Sequence, residues 1–183
     1  PPGVPEVVAE VAATPELADK YTRLPHTIAI ISDGRGLRGV GRVRPRSMLP
    51  VLEAKAALLA KAARISSLPL VLDVETEEEF MSAVRAVAPS VSGVMLDAIE
   101  GARAARITKR LVDELHIPIF HDDADAPAVA GLAAVINACR RTGRDVREVT
   151  VGQLGLGTAG GAVARLVMRF TGRPVIGEDV HPG

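Results

Sequence analysis

Three sets of residues in this 183-residue chain have the types and spacing that chemistry requires. The first is a series of carboxylates, each closing a short apolar run: Leu70-Val71-Leu72-Asp73, Val94-Met95-Leu96-Asp97 and Ile119-Phe120-His121-Asp122-Asp123. In an open parallel sheet the carboxyl ends of the strands line the ligand crevice. Oxygens gathered there, with Asp97 and Asp123 as the candidate ligands, would suit Mg²⁺ or Mn²⁺. The same side chains could instead cap the helices that follow; capping is the reading adopted for Asp73, and both readings stand for Asp97 and Asp123. The second set centres on Lys55. At about 100° per residue, Met48, Val51, Leu52, Leu58, Leu59 and Ala62 form one apolar arc, and Lys55 falls in its middle. A lysine there either snorkels its stem across apolar surface to water or is a partly desolvated amine, lowered in pKa and aimed at the crevice as a base. The third is Gly155-Leu156-Gly157-Thr158-Ala159-Gly160, which follows an apolar β-branched run and opens a helical one. Gly155, Gly157 and Gly160 then allow a tight turn and the close approach of a pyrophosphate to a helix N-terminus. About twenty residues on, Glu178-Asp179 ends a further strand, where the ribose-binding acid of a dinucleotide fold is expected.

Other reactive residues read as structural. His121 at a strand end and Cys139 in the run Val135-Ile136-Asn137-Ala138 fit buried, hydrogen-bonded or packed positions. The arginines Arg35, Arg38, Arg42, Arg44 and Arg46 could attract a carboxylate or phosphate, although most of that run reads as a solvated loop and strand face.

To position these groups the chain alternates β-branched apolar runs with segments of helical period, the pattern of an α/β fold with a parallel sheet. Strands are expected at Thr27–Ser32, Leu37–Val43, Leu68–Asp73, Gly93–Asp97, Ile117–Phe120, Glu148–Gly152 and Pro174–Asp179, and helices at Met48–Ala63, Thr76–Val87, Ala102–Leu115, Ala126–Arg141 and Thr158–Phe170. Ser47 is the expected cap of the first helix, and Thr76 with Glu79 has capping-box spacing. Thr142-Gly143-Arg144-Asp145 has the form of a helix end and short linker. It divides a parallel-sheet domain, residues 1–143, from the first βαβ of a Rossmann-type domain, residues 144–183, too short to complete a nicotinamide pocket.

Composition narrows the function. Lys plus Arg and Asp plus Glu both total 22, so no net field favours nucleic acid or an anionic membrane. Aromatic residues make up 2% of the chain, which removes the stacking platforms of single-strand binders. The single cysteine excludes a disulfide framework and suits a reducing cytoplasm. The longest uncharged run, residues 149–164, contains five glycines and is shorter than the ~20 residues that span a bilayer.

Taken in order, these pieces resemble malic enzymes. Pro2-Gly3-Val4 is similar to that family's Tyr-Thr-Pro-Gly-Val opening, and Ile31-Ser32-Asp33-Gly34 with Gly39-Val40-Gly41 to its Thr-Asp-Gly and Gly-Leu-Gly segment. Leu49-Pro50-Val51-Leu52-Glu53-Ala54-Lys55 resembles its Leu-Pro-Val-x-Glu-Gly-Lys, and Phe120-His121-Asp122-Asp123 its Phe-His-Asp-Asp, with the fingerprint glycines downstream. The resemblance implies NAD(P)-linked oxidative decarboxylation of malate to pyruvate and CO₂ in a homodimer with Mg²⁺ or Mn²⁺. The acids Glu178 and Asp179, which would accept from a ribose 2′-OH and repel a 2′-phosphate, point to NAD in preference to NADP. Lys55 would be the general base, and Asp97 and Asp123 metal ligands, Asp97 standing where the family has Glu. Two departures weaken the metal site: Ala98 replaces the family's second Asp, and Ala124-Asp125-Ala126-Pro127 replaces Gln-His-Gly-Thr. The family's general-acid Tyr would precede the first residues of this sequence, and Tyr21 matches a different, structural position. Two functional classes follow: a working malic-enzyme-like dehydrogenase, or a degenerate relative that binds a dicarboxylate, a nucleotide or a partner without turnover.

Overall fold

The computed structural model describes residues 2–37 and 39–180. Four parallel strands form the main sheet in the order β2-β1-β3-β4: β1 (Thr27–Ser32), β2 (Ser66–Val71), β3 (Gly93–Leu96) and β4 (Ile119–His121). Their apolar runs match the expected strands to within two residues. The run at Leu37–Val43 does not. Arg38 lies outside the described residues; around it Leu37 and Gly41 form only an isolated bridge, and Gly39 and Gly41 take φ of 78° and 79°. Left-handed glycines turn the chain instead of extending it.

α3 (Leu49–Ala63) packs on one face of the sheet and α4 (Glu77–Val87) and α5 (Gly101–Glu114) on the other, as right-handed crossovers require for this strand order. The main core lies under α4 and α5, where Phe80, Met81, Val84, Ala104, Ile107 and Leu111 pack on Ala29, Ile31, Val94 and Leu96. Strand alternation sends Ile30 to the opposite face, where α3 buries Leu52. Thr76 and Glu79 make the full capping box of α4. Asp73 therefore does not cap it and is exposed. Ser47 makes no cap either: it lies in a 3-10 turn, Pro45–Met48, that runs directly into α3. At the amino-terminal end α1 (Val4–Ala13) buries no residue and is tied to α2 (Leu17–Tyr21) by the Tyr21 hydroxyl, which donates to Glu10 at 2.7 Å.

The fifth long helix begins earlier than Pro127 suggests. Pro favours the first turn of a helix, yet α6 spans Asp122–Thr142 with Pro127 inside it. Its first turn carries Asp122, Asp123 and Asp125, whose charge suits the positive end of the helix dipole. Gly143 ends it at φ 67°, the left-handed conformation of a C-cap. Beyond it, β5 (Gly152–Leu154), α7 (Thr158–Thr171) and β6 (Ile176–Glu178) form a separate parallel βαβ unit. α7 packs along α6, and Gly131 makes room for Val163, which a Cβ there would meet at 2.9 Å.

Candidate active site at the carboxyl rim of the sheet

The strand order reverses direction between β1 and β3, so the crevice is expected outside their carboxyl ends. The loops there are in backbone contact. Asp97 N–H donates to Ile31 O at 3.0 Å, Gly36 N–H to Ala98 O at 2.9 Å, and a Cβ on Gly36 would lie 2.3 Å from the Ile99 carbonyl carbon. This close approach requires glycine at position 36. Ala98 meets it with φ of 48°, a conformation uncommon outside Gly, Asn and Asp.

Lys55 reaches this rim from α3. Its Nζ donates to Asp97 Oδ1 at 2.6 Å and to Asp122 Oδ2. Asp97 is 2% exposed and its Oδ2 is buried without a hydrogen-bond partner among the described residues. Asp123, expected beside Lys55, faces elsewhere. Because α6 already begins at Asp122, consecutive residues project about 100° apart; Asp122 takes the lysine, and Asp123 lines a cavity of about 330 Å³ with Gly36, Ile99, Glu100, Gly101 and Thr158. The first turns of α5, α6 and α7 all border that cavity, together with the carboxylate residues Glu100 and Asp123.

The environment also reverses the expected protonation behaviour of Lys55. Burial on the apolar arc acts to lower its pKa, but the hydrogen bonds and charges of Asp122 and Asp97 outweigh this and raise it above the ordinary lysine value. The amine is held as an ammonium. The arc itself is narrower than predicted, since Leu58 is 65% exposed.

A second ion pair went unrecognised in the sequence. Asp33, 3% exposed, accepts from the guanidinium of Arg103, 7% exposed, and Arg35 Nε lies 3.4 Å from the same carboxylate. The Arg103 guanidinium stands 5.5 Å from the Phe80 ring centre, a cation–π distance. The available signal was the spacing Arg103, Ile107, Leu111, which puts the arginine in line with the buried face of α5. His121 is buried as expected; its N–H donates to Asp125 at 2.7 Å, and its Nε2 has no partner among the described residues. Cys139 is also buried, on α6.

The described residues bring no three Asp, Glu, His or Cys side chains together in a way that could hold a metal ion. Asp97 commits one oxygen to Lys55, position 98 carries only a methyl group, and Asp123 lies on the cavity side. This donor set does not by itself fit a resident divalent cation. The glycine loop does fit a dinucleotide. Gly155 has φ of 80°, a Cβ at Gly160 would sit 1.9 Å from Gly155 O, and Gly157 faces open space. The Asp179 carboxylate accepts from Leu156 N–H at 2.5 Å, so the acid lies at the mouth of this loop.

No family model matches the chain. It is 40% identical over 178 residues to NAD-dependent malic enzyme 1 of Bacillus subtilis, covering 97% of this chain and 40% of that protein. Against the NADP-dependent malic enzyme of Halomonas elongata the identity is 34%, over 91% of this chain and 40% of the relative. Among solved structures, malic enzyme from Pyrococcus horikoshii superposes with a TM-score of 0.93 at 32% identity over 100% of this chain and 42% of that one. The NAD-dependent malic enzyme of Thermotoga maritima gives a TM-score of 0.89 at 36% identity, over 97% and 47% respectively. The chain thus spans about two fifths of the length of the curated relatives it matches.

The geometry around Lys55 predicts unequal roles for two adjacent acids. Asp122→Asn should lower the Lys55 pKa by removing a charge and a hydrogen bond, whereas Asp123→Asn should leave it nearly unchanged. Side-chain NMR titration of Lys55 in both variants checks this; equal shifts would contradict the assignment.

Proposed function

The chain is a homologue of malic enzymes along nearly its whole length, and on that premise we propose that it forms the substrate region and the start of the dinucleotide region of an NAD(P)-linked enzyme that converts malate to pyruvate and CO₂. The division falls at Gly143, with residues 1–143 as the substrate domain and 144–183 as the beginning of the dinucleotide domain. The observation that carries the reading is Lys55, held between Asp97 and Asp122 at the carboxyl rim. Asp122 directly precedes Asp123, and Asp97 stands two residues before Ile99. Asp123 and Ile99 border a cavity that the first turns of α5, α6 and α7 also line, and helix N-termini favour an anionic ligand such as a dicarboxylate.

In this reading Lys55 is the catalytic residue that exchanges a proton with the C2 oxygen of malate. The ammonium is its stable form here, so it binds substrate oxygen as a donor first. To act as a base it must first release its proton to solvent, a loss that its contacts with Asp97 and Asp122 oppose. A raised lysine pKa means the base form grows only as pH climbs through that value, so turnover limited by this step rises toward alkaline pH. NAD(P)⁺, when bound, supplies the hydride acceptor. Gly155, Gly157 and Gly160 give the pyrophosphate room at the start of α7, and Asp179 offers a carboxylate to the ribose hydroxyls, favouring NAD over NADP.

Asp97 and Asp123 remain the candidate ligands for Mg²⁺ or Mn²⁺, in a site left weak by Ala98 unless substrate oxygens complete it. The protein partner is a second copy of this chain: α1 exposes Val4 at 48% and Val8 at 61% and buries nothing. A reducing cytoplasm suits the single cysteine. Among the described residues no helix is long and apolar enough to cross a membrane.

Turnover is to be measured with the chain joined to the region that its curated relatives carry beyond the matched segment. Malate should reduce NAD faster than NADP, and Lys55→Ala should lower kcat at least about hundredfold in a protein that still folds, with a lowered melting temperature because Asp97 and Asp122 lose their cation. Unchanged turnover in Lys55→Ala would refute the catalytic assignment, and a folded protein without turnover would favour the degenerate, ligand-binding alternative. For the metal, calorimetric Mn²⁺ titration should show weak binding by the unmodified chain and at least about tenfold tighter binding by Ala98→Asp, which restores a ligand oxygen. Tight binding by both would show that the site is not degenerate.

A further inference from the structure

A further cleft lies away from Lys55. It encloses about 780 Å³ at the carboxyl end of β2, and its lining includes Arg42, Arg44, Arg46, Leu49, Val71 and Asp73. It shares no lining residue with the cavity that contains Asp123. Its lining residues thus include three arginines and one acid, Asp73. Arg42 is paired with Glu75 at 3.2 Å, whereas Arg44 and Arg46 have no side-chain hydrogen bond or ion pair among the described residues.

The arginines are carried on a segment with little freedom. Val43 N–H donates to Gly34 O at 2.7 Å, which ties the segment to the loop after β1, and Ser47 N–H donates to Arg44 O at 2.9 Å. Pro45 stands between the two unpaired arginines and fixes φ there. Holding the backbone reduces the ordering cost of binding. Between the arginines the floor is apolar, formed by Leu49, Val71 and the neighbouring Val43 and Pro45. A fully solvated inorganic ion would leave that floor unused.

We propose that this cleft binds an organic anion: a carboxylate or phosphate held by Arg44 and Arg46, on an aliphatic body that covers Leu49 and Val71. Guanidinium groups bind both anions through charge-assisted hydrogen bonds, and the apolar floor selects for the attached chain. The site is independent of the chemistry proposed at Lys55 and does not rest on it.

Calorimetric titration of the chain with hexanoate, hexyl phosphate and inorganic phosphate tests the proposal. At least one hexyl ligand should bind, and bind more tightly than inorganic phosphate; whichever of the two binds better identifies the anionic group. Affinity should fall about tenfold for each guanidinium removed in Arg44→Gln and Arg46→Gln, and should fall as salt is added to the unmodified chain. Lys55→Ala should leave the binding intact. Failure of both hexyl ligands to bind, equal affinity for inorganic phosphate, or unchanged affinity in the double variant or in high salt would overturn the proposal. Loss of binding in Lys55→Ala would also overturn it, by moving the ligand to the other rim.

Discussion

Parallel pairing of β1, β3 and β4 is the constraint on which the rest of the rim depends. Because every strand runs the same way, the residues that follow each strand emerge on one edge, and groups far apart in sequence become neighbours. Asp97 follows β3, Asp122 follows β4, and Lys55 comes across from α3, so one ammonium ties together three elements. Desolvation of the lysine is offset by two carboxylates, which is why it stays charged inside a largely apolar arc. The same contacts bear on its chemistry, since a clamped ammonium donates readily and accepts only after losing its proton.

A second charge pair plays the corresponding part at the start of α5. Asp33 and Arg103 are both nearly out of water, and the guanidinium also faces the ring of Phe80 in the main core. Removing one member of such a pair leaves a buried charge without its partner and typically costs about 3–5 kcal/mol. The pair fixes the loop after β1 relative to the loop after β3, where Gly36 and Ala98 are joined by a backbone hydrogen bond. The loops after β1 and β3, which border the Asp123 cavity, are thus tied to each other and, through Arg103, to the hydrophobic layer beneath.

Much of this was legible in the residues. The continuous apolar run Thr27–Ser32 is a strand, Thr76 and Glu79 form their capping box, and Gly143 ends α6 as a C-cap glycine does. Lys55 stood out through its place on an apolar arc. The direction of its pKa shift did not, because it is set by partners 42 and 67 positions away. Pro127 placed the expected start of α6 at Ala126, four residues after the true start at Asp122, and with it misled the choice between Asp122 and Asp123, since only the true helix start decides which acid turns toward the lysine. The segment around Gly39 and Gly41 was expected as a strand for its apolar residues Leu37, Val40 and Val43, but its left-handed glycines turn the chain. The second βαβ unit was recognisable by its glycines, although β5 begins at Gly152, after the β-branched run that suggested it.

The central claim is that Lys55 and Asp122 are energetically coupled across the rim. A double-mutant cycle on Lys55→Met and Asp122→Asn, followed by chemical denaturation near neutral pH, measures that coupling directly. The account predicts a favourable interaction of roughly 0.5–3 kcal/mol, the range expected for contacting charged groups, and a value near zero when Asp123→Asn replaces Asp122→Asn. Additive single-mutant effects for Lys55 and Asp122, or a larger coupling to Asp123, would contradict it.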